Sequence, residues 1–244
     1  MLLNCDLGEC DRLLHDSVEQ RVMPHIQLAN IACGFHAGNR QVMRDTVALA
    51  SQHGVAIGAH PSYPDREQFG RRSMALNKAD ICDLVLQQIE LLDAICDEQG
   101  ERLHHIKPHG ALYNDMMQSQ DVLDGILQAV KWHGGGQPLL LMAGTDNSSF
   151  QRRADAFGVE VWFEAFADRA YDDHGRLLPR SQAGAVYDDS RQVLQQAAAL
   201  AAGQPITSHS GRPLQLQAKT LCVHGDNDQA VAVIEALARQ LAGQ

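Results

Sequence analysis

The chain has 244 residues, 45% of them hydrophobic, with 20 basic and 30 acidic side chains and a net charge of −10. That length can bury a large core without disulfides or a structural metal, and the acidic balance argues against nucleic acid or an anionic membrane surface as partner. No run approaches the roughly 18 apolar residues that a membrane span requires, the opening M-L-L-N-C-D shows no signal-peptide pattern, and the six cysteines, none in a C-x-x-C pair, point to reduced thiols and a cytoplasmic location.

Leu2 to Cys5 is a short apolar run ending at Asp6, with Gly8 and Glu9 just beyond. A polar stretch follows through Met23–Pro24, and Ile26 to Phe35 reads as a second buried segment, ending at His36 and Gly38. The spacing of Met43, Val47 and Ala50 predicts a helix over Arg40–His53 that stops at Gly54. Val55 to Ala59 reads as a strand ending at His60–Pro61. Asn77 is an N-cap for a helix carrying Ile81, Val85, Ile89 and Leu92 on one face and ending at Gly100.

The strand Leu103–Ile106 leads into K-P-H-G-A-L-Y-N, Lys107 to Asn114. A lysine before proline is pushed toward extended backbone, and Gly110 permits the turn on which His109 stands. A helical segment follows, and Ser119 caps the next helix, which runs to Trp132 and stops at Gly134–Gly136. Pro138–Met142 is a strand, Ser148–Phe157 a helix ending at Gly158, and Val159–Phe166 a strand ending at Asp168–Arg169. Ala170 to Ala185 lacks periodicity, and a loop of that length usually has a function. Asp189–Ala202 is a helix, Pro205–Leu216 a small hairpin turning near Ser210–Gly211, and Leu221–Val223 the last strand. That strand ends at His224, Gly225 and Asp226, and Asp228–Leu241 is the closing helix.

About seven strands alternating with about six helices predict an α/β chain with a parallel sheet. Right-handed crossovers bring the strand C-terminal ends to one side. No G-x-G-x-x-G follows the first strand, which disfavours a dinucleotide-binding doubly wound sheet. The expectation is one TIM-like (βα)-barrel domain over residues 1–244, with its site at the C-terminal face.

The groups standing at strand ends are Asp6 and Glu9, His36, His60, Lys107 and His109, Asp168 and Arg169, and His224 and Asp226. Taken singly, each has a structural explanation: a lone histidine is more often hydrogen-bonded support than a catalyst, and Asp168–Arg169 reads equally well as an ion pair. Their recurrence at one position of the repeat is what favours a site. Such a mixture suits general acid–base chemistry. It also suits a divalent metal, with Asp6, His36 and His60 leaving one position open, although no H-E-x-x-H or clustered ligand motif accompanies them. Cys33 and Cys222 read as small buried hydrophobes rather than nucleophiles. His15, His25, His53, His133 and His209 read as surface residues, while His104, His105 and His174 receive no role. No G-x-x-x-x-G-K-[ST] occurs, so the chain has no recognisable nucleotide cradle of its own.

N-C-D-L-G-E (Asn4–Glu9), A-N-I-A-C-G-F-H-A-G (Ala29–Gly38), G-A-H-P-S-Y-P-D (Gly58–Asp65), F-G-R-R (Phe69–Arg72), K-P-H-G-A-L-Y-N, F-A-D-R-A-Y (Phe166–Tyr171), L-P-R (Leu178–Arg180) and C-V-H-G-D (Cys222–Asp226) together resemble the LamB/YcsF family, in order over nearly the whole chain. The chain departs from that pattern at Cys10, Asn39 and Ser62, and Asp11–Arg21 matches poorly. The resemblance implies a barrel of the glycoside hydrolase/deacetylase type. It further implies ATP-driven opening of 5-oxo-L-proline to L-glutamate in a complex with subunits B and C, which share the handling of ATP. On that footing Lys107 and Arg169, with His36, hold the substrate carboxylate or phosphate. Asp6, Glu9, His60 and His109 position and deprotonate water, His224 or Asp226 protonates the ring nitrogen, and Asp168 completes the catalytic set. The alternatives are a metal-dependent amide or acetyl hydrolase acting alone and a non-catalytic binding or regulatory subunit.

Overall fold

A computed structural model describes residues 1–13, 17–224 and 228–242. In chain order these form β1 (Leu2–Leu7), α1 (Val18–Val22) with a 3-10 turn (Met23–His25), β2 (Leu28–Ala32), α2 (Arg40–His53), β3 (Ala56–His60), α3 (Lys78–Glu98), β4 (Leu103–Ile106), α4 (Gly110–Met116), α5 (Gln120–His133), β5 (Leu139–Met142), α6 (Ser148–Phe157), β6 (Val161–Phe166), α7 (Ser190–Ala201), β7 (Ile206–Thr207), β8 (Pro213–Leu214), β9 (Thr220–Cys222) and α8 (Asp228–Ala242). Seven strands close a barrel in the order β1-β2-β3-β4-β5-β6-β9, and every pairing is parallel. β2 and β5 are buried at every position, as apolar runs must be when helices cover one face of a parallel sheet and the barrel core the other.

Local chemistry sets the boundaries. Asn39 accepts hydrogen bonds from the backbone N–H groups of Gln41 and Val42, and Asn77 does the same for Ala79 and Asp80, so both helices start where an Asn replaces missing turns. The short elements are the ones the periodicity does not show. The polar stretch before Pro24 contains five-residue α1, capped by Ser17, and α4 starts directly after His109. Ala170–Ala185 is an ordered crossover, tied by the bridges Arg169–Val186 and Tyr171–Leu177. The hairpin within Pro205–Leu216 is present as antiparallel β7–β8.

The middle of the barrel departs from the branched aliphatic filling usual for this architecture. Asn4, Asn30, His105, Glu164 and Thr220 are fully buried there, and Lys107 nearly so. Side chains two residues apart on a strand share a face, so Asn4 points inward beneath Asp6 and His105 inward beneath Lys107. Gly58 on β3 makes room for the His105 ring, since a Cβ at that position would sit 2.1 Å from His105 Nε2. His133 is not a surface residue: its ring bonds Asp93 at 2.9 Å and its side chain is only 7% exposed.

Gly58→Ala is expected to destabilise the barrel by about 1–3 kcal/mol, the usual result of forcing atoms into a packed interior. Urea unfolding of the purified variant against the parent checks this, and an unchanged midpoint would contradict the tight Gly58–His105 approach.

Candidate active site

Lys107 follows β4 by one residue, and its ammonium enters the top of the barrel. Its Nζ lies 3.0 Å from Asp6 Oδ1, 3.1 Å from Asn4 Oδ1, 3.2 Å from Glu164 Oε2 and 3.1 Å from Cys222 Sγ. Asn4 donates to Glu164 and Thr220, Asn30 donates to Asn4 and Asp6, and His105 closes the chain at Asn30 Oδ1, 2.8 Å away. Burial opposes the charge on Lys107, but the carboxylates of Asp6 and Glu164 outweigh it and hold the ammonium well above its ordinary value. Burial likewise opposes the Asp6 carboxylate, and His60 and Lys107 reverse that, holding Asp6 well below the usual carboxylate range. Burial pushes the Cys222 thiol up despite the ammonium beside it, so the thiol stays protonated.

On one side of Asp6 stand three imidazoles and a carboxyl. The rings of His36 and His109 stack 3.8 Å apart, and His60 meets both edge-on. Glu9 Oε1 lies 3.0 Å from His36 Nε2, 3.5 Å from His109 Nδ1 and 3.9 Å from His60 Nε2. Burial, reinforced by neighbouring His60, pushes His36 down to about 2 and His109 well below the ordinary imidazole value. Burial raises the Glu9 carboxyl.

On the other side, His224 Nδ1 donates to Asp168 Oδ2 at 2.7 Å, and its Nε2 accepts from Arg180 at 3.0 Å. Burial opposes protonation of His224, but Asp168 outweighs it and the ring's pKa is raised. The same pairing overcomes burial to lower Asp168.

These groups meet around one cavity of about 370 Å³, lined by Asp6, Glu9, His60, Lys107, His109, Arg169 and His224. A larger depression of about 690 Å³ beside α7 carries none of them. His36 does not line the site cavity: its side chain is fully buried behind Glu9. Asp168 also stands behind, holding His224. Lys107 has three N–H donors and four acceptors around it, which leaves no donor for a substrate carboxylate. Arg169 spends its Nε and one Nη on the carbonyls of Ala185 and Leu178, strapping down the crossover loop. Burial, then Arg180, lowers its pKa to about 10. Asp226 lies outside the described residues. Asp6, His36 and His60 do not form the metal-ligand set expected of them. His36 and His60 converge with Glu9 and His109 instead, while Asp6 groups with Cys222 and His224.

Sequence reasoning missed Asn4, Asn30, His105 and Glu164, which support Asp6 and Lys107, and the exposed Arg71 and Arg180, which line the cavity as cations. The strand parity of Asn4 with Asp6 and of His105 with Lys107 was the available signal.

The LamB/YcsF family model matches residues 1–244. The chain is 51% identical over 243 residues to a Pseudomonas putida protein named as a 5-oxoprolinase A subunit, covering 100% of this chain and 94% of that one. It is 48% identical to the 5-oxoprolinase A subunit of Chromohalobacter salexigens, covering 97% and 94%. The crystal structure of the lactam utilization protein from Thermus thermophilus superposes with a TM-score of 0.89 at 35% identity, covering 99% of this chain and 96% of that one.

Asp168→Asn should lower the titration midpoint of His224, followed by NMR of the imidazole protons. A raised histidine adds stability that is full below its unfolded pKa and fades as pH rises. A depressed aspartate adds stability that is full above its unfolded pKa and is lost as pH falls. The variant is therefore expected to lose most stability between about pH 4 and 6.5, the ordinary values of the two groups. An unmoved His224 midpoint would show that the pair is not coupled.

Proposed function

The chain belongs to the LamB/YcsF family, and from that premise we propose that it is the A subunit of an ATP-dependent 5-oxoprolinase, a hydrolase that opens the lactam ring of 5-oxo-L-proline to give L-glutamate. The observation that carries the reading is the single cavity at the barrel mouth, which has a carboxylate held ionised on its floor, an aspartate-held imidazole on one wall and arginines at its rim. An unstrained lactam is a poor electrophile, so phosphorylation of its oxygen by ATP activates the carbon; attack by water and cleavage of the C–N bond then leave an acyl phosphate, which a second water hydrolyses to glutamate and phosphate. Among the described residues there is no phosphate-cradling P-loop, which fits a division of labour in which partner subunits B and C bring ATP to the complex.

In this reading Asp6, fixed by Lys107 and Asn30, orients the attacking water together with Glu9, His60 and His109, which line the same wall. His224 has one nitrogen held by Asp168, and its other nitrogen, which accepts from Arg180, must part from Arg180 and take up a proton before it can protonate the leaving ring nitrogen. Arg71 and Arg180 replace Lys107 as the groups that receive the substrate carboxylate or the phosphate, because Lys107 is committed to the barrel interior. Arg169 shapes the pocket through its loop. Residues 1–244 act as one domain in this proposal, since the first and last strands pair directly, Leu2 with Thr220.

The test is glutamate formation from 5-oxoproline and ATP by the chain together with its two partner subunits. Omission of the chain should abolish the product, and Asp6→Asn should lower kcat at least about 10²-fold, the range for a group acting on proton transfer. A folded Asp6→Asn variant with near-parent rates would remove Asp6 from the mechanism, and glutamate formed without the chain would overturn the assignment.

A further inference from the structure

We propose that Glu9, His36, His60 and His109 form a binding site for one divalent transition-metal ion of the zinc class, a property independent of which lactam or amide the cavity accepts. The four side chains offer ligand atoms that all lie within 4.8 Å of one another. What separates this cluster from an accidental crowd is the outward nitrogen of each ring. His60 Nδ1 meets the Lys107 carbonyl at 2.7 Å and His109 Nε2 meets the Phe69 carbonyl at 2.9 Å. His36 Nδ1 meets the Ser62 hydroxyl at 2.9 Å, and that hydroxyl donates its own proton to the Tyr63 carbonyl.

A carbonyl only accepts, and the Ser62 hydrogen is already used, so each outward nitrogen carries the ring hydrogen. The inward nitrogens, His36 Nε2, His60 Nε2 and His109 Nδ1, therefore turn to the same place, where Glu9 Oε1 lies. His60 Nε2 and His109 Nδ1 stand 2.9 Å apart. A ring proton shared between them or an ion bound to both nitrogens satisfies that contact. A histidine whose far nitrogen is locked on a carbonyl or hydroxyl is the arrangement that orients imidazoles toward a metal.

The backbone is bent to serve it. Phe69 holds φ at 54°, a left-handed conformation costly for an aromatic residue, and by doing so presents the carbonyl that fixes His109. Gly70 follows because a Cβ there would meet His36 Cβ at 2.9 Å and His109 Cδ2 at 3.0 Å. Three imidazoles and one carboxylate are the donors that zinc and cobalt(II) favour. Glu9, His60 and His109 reach the cavity while His36 closes the site from behind, so an ion held there would border the substrate space beside Asp6. A lone proton between His60 and His109 would serve that pair alone, whereas an ion would draw on Glu9 and His36 as well.

The experiment titrates the chelator-stripped full chain with ZnCl2 by calorimetry and records the visible spectrum of its Co(II) form. One Zn²⁺ per chain is expected. Glu9→Gln should weaken binding at least tenfold, and Ser62→Ala, which removes the acceptor behind His36, by about 10–100-fold. His224→Gln, in the neighbouring Asp6–Cys222–His224 group, should keep the parent stoichiometry. Far-UV circular dichroism confirms folding, and Ser62→Ala, the least disruptive change, keeps the test decisive if Glu9→Gln does not fold. The proposal is overturned by absence of stoichiometric Zn²⁺ binding, by parent-like affinity in folded Ser62→Ala and Glu9→Gln, or by loss of the ion in His224→Gln alone.

Discussion

The structure depends on one buried ammonium. Taking the Lys107 charge out of water costs several kcal/mol even after relaxation, and the barrel offsets this with Asp6, Glu164 and Asn4, drawn from β1 and β6. Those partners are themselves buried polar groups that need satisfying, so Asn30, Thr220 and His105 are recruited in turn. The core of this barrel is therefore polar where others are aliphatic. Lys107 also acts through its backbone: its carbonyl fixes the His60 ring. One residue thus ties the charged floor of the cavity to the imidazole wall.

Asp6 divides the mouth into two chemically different halves. One side is a nest of imidazoles around Glu9, and the other is the Asp168–His224 pair with Arg180 against it. Burial acts on both halves, yet the outcomes are opposite: His36 and His109 are driven down, while His224 is driven up because a carboxylate stands against it. Environments that push like groups apart are how a site keeps separate donors and acceptors at one pH. The chain as a whole is acidic, so the cations at the cavity, Arg71, Arg169 and Arg180, give an anionic substrate a local destination the net charge would not offer.

Much of this was legible in the sequence. Apolar runs ending in Asp6, His60, Lys107 and His224 marked strand ends of a parallel barrel, and the parallel closure brought those ends to one mouth. Helix limits at Gly54 and Asn77 followed from capping chemistry. The hidden parts share a cause. Short α1 and α4 carry too few turns for a period to register. Glu164 sits mid-strand in an apolar context and becomes meaningful only once Lys107 arrives from β4. Likewise, the burial of His36 behind Glu9 and the saturation of Lys107 are consequences of packing between distant segments. Residue type alone could not show either.

The central claim is that Lys107 and Asp6 act as one buried unit. A double-mutant cycle with Lys107→Met, Asp6→Asn and the pair, read by urea unfolding at pH 7, tests it most directly. Lys107→Met strands the Asp6 carboxylate, at about 3–5 kcal/mol, and that loss vanishes once Asp6 is already Asn, so the double variant should be clearly less destabilised than the sum of the singles. Single effects that add to within about 0.5 kcal/mol, as independent sites do, would contradict the account.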